Sequence, residues 1–95
     1  MTQPVSDDRV AVPGHVVVRA MPDATVLLNA RTGRDFTLDD VGSRAWALLS
    51  TSSSIRIAYD ALQSEFDVTP DALRRDLADL VDRLSAEGLL ERLRG

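Results

Sequence analysis

The chain has 95 residues, 44% hydrophobic and 27% charged, which is the balance of a single globular domain. It has no cysteine, so disulfides, thiol nucleophiles and thiolate metal sites are excluded. Its net charge of −4, from 11 arginines against 15 acidic residues, opposes the phosphate neutralisation on which nucleic-acid binding depends. No apolar run is long enough to span a bilayer, and no signal-peptide segment follows Met1. We therefore expect a cytoplasmic protein whose partner is neither a membrane nor nucleic acid.

The first third of the chain predicts a tail and two strands. Residues 1–13 mix Gln, Pro, Ser and charges without a period, so we expect a flexible tail before a domain over residues 14–94. Residues 15–20 contain three consecutive valines, which are β-branched, and predict a strand. Pro and Asp at positions 22 and 23 predict a turn, and Thr25–Asn29 then pairs back as an antiparallel hairpin.

A third strand follows, and it is the segment around which the rest of the chain is organised. Gly33 closes the turn before it, at a position that favours positive φ. The five residues of this strand alternate, with Phe36 and Leu38 on one face. As the last strand of a three-stranded meander it is expected to leave an edge that must be blunted, covered or used. The strand consists of Arg34, Asp35, Phe36, Thr37 and Leu38.

Three helices are predicted after the strands. Asp39 is a good N-cap for the first helix, whose apolar stripe comprises Val41, Ala45, Leu48 and Leu49, with Trp46 on its flank. The second helix is expected over residues 55–65, after a serine-rich break. Thr69 followed by Pro70 is a strong start for the third helix, which Gly88 ends. The apolar stripe of the third helix comprises Leu73, Leu77, Leu80, Val81 and Leu84.

The order of elements predicts an α+β, winged-helix-like fold: a three-stranded antiparallel sheet followed by three helices. The last two helices resemble a helix-turn-helix pair, so DNA binding is one hypothesis. The third helix, over residues 70–87, carries five acidic residues against three arginines. That charge is a poor fit to the major groove and its flanking phosphates, so DNA binding is the less favoured alternative.

No pattern in the chain indicates catalysis. The serines lack a nucleophile elbow, and the scattered glycines form no phosphate-binding loop. His15 is the only histidine, and a metal site would need several further ligands beside it. We therefore predict a protein that is not an enzyme and that has no metal and no cofactor.

The free edge and the third helix together predict a peptide-binding groove. An extended peptide can add to the edge strand and place alternate side chains against the helix. Most of the helical stripe has to be core, and the sequence does not decide between the two flanks of the helix. Asp76 and Arg83 lie on one flank. The wall residues that we predict are Arg74, Leu77, Ala78, Val81 and Leu84.

Three stretches resemble a known family. Residues 26–46 read Val-Leu-Leu-Asn-Ala-Arg-Thr-Gly-Arg-Asp-Phe-Thr-Leu-Asp-Asp-Val-Gly-Ser-Arg-Ala-Trp, and two leucines follow at positions 48 and 49. Residues 62–70, and then residues 76–80 and 87–90, continue the likeness. In this order the chain resembles the PqqD family, and most closely the small stand-alone PqqD-like proteins of lasso-peptide biosynthesis.

The resemblance implies a recognition element for ribosomally made precursor peptides. In that family the leader region of the precursor adds as a strand to the third strand and packs against the third helix. By position, the edge strand is Arg34–Leu38 and the wall runs over residues 74–84. In lasso systems the leader offers a Tyr and a Pro to an apolar patch. The family's edge strand often has an aromatic residue where this chain has Asp35.

The same resemblance implies two partners. One is the leader of a precursor peptide, and the other is a leader peptidase of the transglutaminase-like cysteine protease class, or another maturation enzyme. A peptide chaperone for a radical-SAM maturase is the alternative that the resemblance leaves open.

Overall fold

Five strands and three helices follow one another along residues 8–93, the part of the chain that the structure, a computed structural model, describes. The order is β-β-β-β-α-α-α-β, which confirms the α+β class. The strands are β1 (Arg9–Ala11), β2 (Val16–Ala20), β3 (Thr25–Asn29), β4 (Arg34–Leu38) and β5 (Glu91–Leu93). The helices are α1 (Asp40–Ser52), α2 (Ile55–Glu65) and α3 (Pro70–Ala86).

The predicted meander is confirmed: β2, β3 and β4 form an antiparallel sheet in that order. The β2–β3 turn is closed by two backbone bonds between Met21 and Ala24, the shorter being 2.8 Å from the amide of Met21. The β3–β4 turn carries Gly33 at φ +76°, a conformation that glycine adopts without a side-chain penalty. Within the sheet β2 and β4 are the two edges.

A second, two-stranded sheet joins the two ends of the described chain and corrects the prediction of a loose tail there. β1 pairs antiparallel with β5, with Arg9 opposite Leu93. Val10 is 1% exposed and belongs to the core, so residues 9–11 are an integral part of the fold. The partner strand lies at the other end of the sequence, and local composition therefore gives no sign of the pairing. The remaining part of the predicted tail, residues 1–7, lies outside the described residues.

The predicted helix starts are confirmed by their caps. The carboxylate of Asp39 accepts a 2.8 Å bond from the amide of Gly42 at the start of α1. The hydroxyl of Thr69 accepts from the amide of Ala72, and Pro70 occupies the first helical turn. α3 ends at Ala86, one residue before the predicted end.

The core lies between the three-stranded sheet and the helices, and its largest fully buried side chains include Leu27, Leu49, Leu62 and Leu84. Two predictions about α1 are wrong. Val41, predicted to face the core, is 43% exposed, whereas Trp46, predicted to lie on the flank, is 4% exposed. The bulky indole takes the buried position and leaves the first turn of α1 at the surface.

A polar contact fixes the C-terminal end of α3 against the sheet. The buried Asn29 side chain donates from Nδ2 to the carbonyl of Glu87 at 2.9 Å. Beside it, Nε2 of His15 donates to the carbonyl of Gly88 at 2.8 Å. Because these carbonyls follow the last turn of α3, the two bonds hold α3 at a defined position relative to β2 and β3.

None of the helices within residues 8–93 is both long enough and apolar enough to cross a bilayer.

A candidate peptide-binding groove

The hydrogen-bond pattern of the sheet determines which backbone groups of β4 are free. The amide of Ala30 donates to the carbonyl of His15, so this directly opposed pair is a hydrogen-bonded one. Hydrogen-bonded and non-hydrogen-bonded pairs alternate along an antiparallel ladder. Alternate β3 residues therefore point their backbone groups at β2, and the remaining ones, Thr25, Leu27 and Asn29, point theirs at β4.

The unpaired backbone groups at the edge of β4 are consequently those of Asp35 and Thr37. Arg34, Phe36 and Leu38 stand opposite Asn29, Leu27 and Thr25, so their backbone groups bond to β3. The two N–H and two C=O groups of Asp35 and Thr37 point away from the sheet. Between residues 8 and 93 no strand pairs with this edge. An added strand would find its donors and acceptors here.

The side chains of β4 divide between two faces of the sheet. Leu38 is buried in the core, and the half-buried Phe36 packs against the same core, as predicted. Arg34 lies on that same face and is itself exposed. Asp35 and Thr37 are exposed on the opposite face. An added strand would likewise direct every second side chain toward the helices.

Two contacts join β4 to one flank of α3 and its C-cap. The guanidinium carbon of Arg83 lies 5.4 Å from the centre of the Phe36 ring. One residue past the end of α3, a carboxylate oxygen of Glu87 lies 3.2 Å from a guanidinium nitrogen of Arg34. Helical spacing places Leu80 and Asp76 on this same flank, three and seven residues before Arg83. We call the space between the β4 edge and this flank the groove.

The predicted wall residues lie elsewhere on α3. Leu77, Val81 and Leu84 are at most 3% exposed and form part of the core, which leaves little of their side chains for a ligand. Arg74 and Ala78 lie on the flank of α3 opposite to Arg83. A guanidinium nitrogen of Arg74 is 3.8 Å from a carboxylate oxygen of Asp71. Of the five predicted residues, only Leu77 shares a cavity lining with Asp76, Leu80 and Arg83.

The residues that face β4 lie on one of the two flanks between which the sequence does not decide. Asp76 and Arg83 belong to this flank, and Leu80, predicted to lie in the core, is only partly buried. One signal in the sequence favours this flank: Glu87, near its end, is opposite in charge to Arg34 of β4, and the two side chains pair. The choice depends on how β4 packs on α3, which is a long-range contact.

Residues 8–93 contain no group of three or more His, Asp or Glu side chains placed to hold a metal ion. Two of the exposed carboxylates stabilise the fold instead. Asp39 caps α1, and Glu65 accepts two bonds from the guanidinium of Arg44, at 2.7 and 2.8 Å. Hydrogen bonding to Arg44 holds the pKa of Glu65 below its ordinary value, although desolvation opposes this.

A small α+β domain whose sheet has a free edge beside a helix belongs to the class that can accept an extended peptide as an additional strand. Residues 24–90 match the model of the family described as coenzyme PQQ synthesis protein D (PqqD). The chain therefore belongs to the PqqD family, which confirms the resemblance found in its sequence. No curated protein sequence matches the chain.

Two solved structures share the fold over almost the whole chain. One is TbiB1 in complex with the TbiA(beta) leader peptide, at 35% identity and a TM-score of 0.82, covering 90% of this chain and 99% of that one. The other is a lasso peptide synthetase B1 complexed with the leader peptide, at 26% identity and a TM-score of 0.77, with the same coverage. Both similar proteins hold leader peptides.

Proposed function

We propose that this protein binds the leader region of a ribosomally synthesised precursor peptide by adding it to β4 as a further strand. The observation that carries the proposal is the free edge at Asp35 and Thr37, next to the flank of α3 that carries Arg83. Two structural neighbours with the same fold are complexes with leader peptides, which supports this class of ligand.

In this proposal β4 contributes backbone pairing and α3 contributes side-chain selection. Pairing to two N–H and two C=O groups is insensitive to sequence, because every peptide has a backbone. Each net hydrogen bond contributes roughly 0.5–1.5 kcal/mol. Specificity then comes from the leader side chains that point into the groove, where they meet Phe36, Leu80 and Arg83. Among the earlier candidates, Leu77, Val81 and Leu84 act through the packing of α3, whereas Arg74 and Ala78 lie on its other flank, away from the peptide.

The protein acts by binding and not by catalysis, and a second protein processes the leader that it holds. A leader peptidase of the transglutaminase-like cysteine protease class is the proposed recipient, in a lasso-peptide pathway and in the cytoplasm. The description of the family model, a coenzyme synthesis protein, favours one second candidate: a peptide chaperone for a radical-SAM maturase. The two candidates share the leader contact and differ in the enzyme that receives the leader.

The proposal is tested by fluorescence polarisation with two labelled peptides. The first is the TbiA(beta) leader, and the second is the leader peptide of the lasso peptide synthetase B1 complex. We expect saturable binding of at least one of them, and no binding of a version with scrambled sequence. Equal binding of the native and scrambled peptides would contradict the proposal. Salt-sensitive binding of a labelled random DNA duplex, with no binding of either leader, would favour the DNA-binding alternative instead.

A further inference from the structure

Arg83 has two carboxylates of its own helix end within reach and pairs with neither. Asp79 stands four residues before it and Glu87 four residues after it, at the spacing where side chains of one helix face meet. Within residues 8–93 no ion pair joins Arg83 to either of them. Its guanidinium carbon lies 5.4 Å from the centre of the Phe36 ring instead. Arg83 therefore makes its contact across to β4 and not along α3.

The two carboxylates differ in whether they are available to Arg83. Glu87 is already paired with Arg34 at 3.2 Å. Asp79 is exposed, and among the described residues it has no ion-pair partner. An acidic residue four positions before a basic one is also the more favourable orientation on a helix. Asp79 thus offers the guanidinium a second position, which Arg83 reaches by rotating its side chain without moving the backbone.

The place of Phe36 in the ladder makes it the residue that a leader side chain meets. The backbone groups of Asp35 and Thr37 point outward, so in an antiparallel ladder the leader residue opposite Phe36 forms a non-hydrogen-bonded pair with it. In such pairs the side chains approach most closely, and both lie on the same face. Because Phe36 also packs against the core, the leader side chain and Arg83 compete for the part of its ring that stays open.

From these relationships we infer that Arg83 is a displaceable cover of the groove. In the empty groove its guanidinium lies over Phe36. When the leader pairs with β4, the side chain opposite Phe36 takes that place and the guanidinium moves to Asp79. The inference rests on the proposed function, because the added strand displaces the cover. A weak cation–π contact is exchanged for a helical ion pair of similar strength, so the groove opens at little cost in free energy.

Nuclear Overhauser effects between side chains test the exchange directly. The probe is whichever of the two leaders binds in the titration above, added at saturation to the full-length wild-type protein. Without peptide we expect effects between Arg83 and the Phe36 ring. With peptide they should be replaced by effects between Arg83 and the β-protons of Asp79, and between the leader and the Phe36 ring. Arg83–Phe36 effects that persist in the complex would overturn the inference.

A binding cycle tests the energetics by fluorescence polarisation with the same leader. Arg83→Gln has no guanidinium to displace, so it should bind at least as tightly as the wild type and up to about threefold more tightly. Asp79→Asn removes the second position and should weaken binding about twofold. In the Arg83→Gln background Asp79→Asn should have no effect. Weaker binding by Arg83→Gln would show that Arg83 holds the leader itself, and would overturn the inference.

A matched control separates the exchange from the loss of one negative charge. Asp76→Asn removes the same charge from the same flank, but seven residues before Arg83 and beyond the four-residue spacing. It should change leader binding by the same factor in the wild type and in Arg83→Gln. If Asp76→Asn depended on Arg83 as strongly as Asp79→Asn does, the effect would be a general one of charge and the specific exchange would be wrong.

The outcomes distinguish the inference from the proposed function. If the leader binds while Arg83 stays over Phe36, the inference is overturned and the proposed function stands. If neither leader binds to the wild-type protein, the proposed function itself fails.

Discussion

The guanidinium carbon of Arg83 lies 5.4 Å from the centre of the Phe36 ring, so one flank of α3 contacts the middle residue of β4. A cation above an aromatic face at a partly exposed site is worth about 0.5–1 kcal/mol. Phe36 also packs against the core, whereas Arg83 is exposed. The contact therefore connects an exposed residue of α3 with a residue of β4 that packs against the core.

We expect Arg83→Gln to lower the free energy of unfolding by about 0.5–1 kcal/mol, because the variant has no guanidinium to place over the Phe36 ring. The change is measured by urea denaturation, together with Phe36→Leu and the double variant. The sum of the two single-variant losses in unfolding free energy should exceed the loss in the double variant by the energy of the contact. Losses that add without coupling would show that the contact contributes nothing to stability.

Replacing Phe36 by Asp is expected to weaken leader binding and also to destabilise the fold, since a carboxylate would be placed against the core. A loss of about 1–3 kcal/mol is expected in urea denaturation. Phe36→Leu, which keeps an apolar side chain, should lose much less stability. Unchanged leader binding by folded Phe36→Asp protein would argue against contact between the leader and this face of β4.

Thr37→Pro is expected to weaken leader binding by about tenfold or more. Proline removes an outward N–H at the free edge, and its ring obstructs the added strand. The fold should tolerate it, because that N–H has no partner in the sheet. Two controls are available: Thr37→Val keeps the N–H, and Val18→Pro makes the same change on the opposite edge, in β2. Both should bind the labelled leader like the wild type, and equal losses in Thr37→Pro and Val18→Pro would refute the choice of edge.

Gly88→Ala is expected to destabilise the protein by about 2 kcal/mol or more. Its φ of +71° disfavours any side chain, and an added Cβ would lie 2.8 Å from Nδ2 of Asn29, which anchors the end of α3. Gly33→Ala has the same conformational cost at φ +76° without a contact, so it should lose only about 1 kcal/mol. Urea denaturation of both variants gives the comparison. Equal losses would show that the contact with Asn29 is unimportant.

The pair of Arg44 and Glu65 predicts a small dependence of stability on acid. Because the folded pKa of Glu65 is lowered, the pair stabilises the protein above the unfolded pKa of a glutamate, about 4.3. This stabilisation is lost as the pH falls through the folded value. Titration of the Glu65 carboxyl by NMR should give a midpoint below that of an ordinary glutamate. Arg44→Met should return the midpoint to the ordinary range, and an unchanged midpoint would contradict the pairing.

What the sequence could predict was local. The cap at Asp39, the start at Thr69 and Pro70, and the turn at Gly33 each follow from the conformations that single residues prefer within a few positions. The three-stranded sheet followed from such turns together with the alternation of apolar residues.

What the sequence could not predict depends on contacts between distant segments. The strand around Val10 pairs with the other end of the described chain, and nothing near Val10 signals that partner. Likewise, the stripe of α3 has two flanks, and the pattern of apolar residues does not decide between them. The contacts of Arg83 with Phe36 and of Glu87 with Arg34 identify the flank that faces β4.

The central claim is that the leader pairs with the outward backbone groups of β4, and amide hydrogen exchange resolved by residue tests it most directly. Without peptide, the amides of Asp35 and Thr37 should exchange fast, while those of Phe36 and Leu38, bonded to β3, should be protected. Saturation with the leader should slow exchange at Asp35 and Thr37. Unchanged exchange at these two amides, or new protection on the β2 edge instead, would contradict the claim.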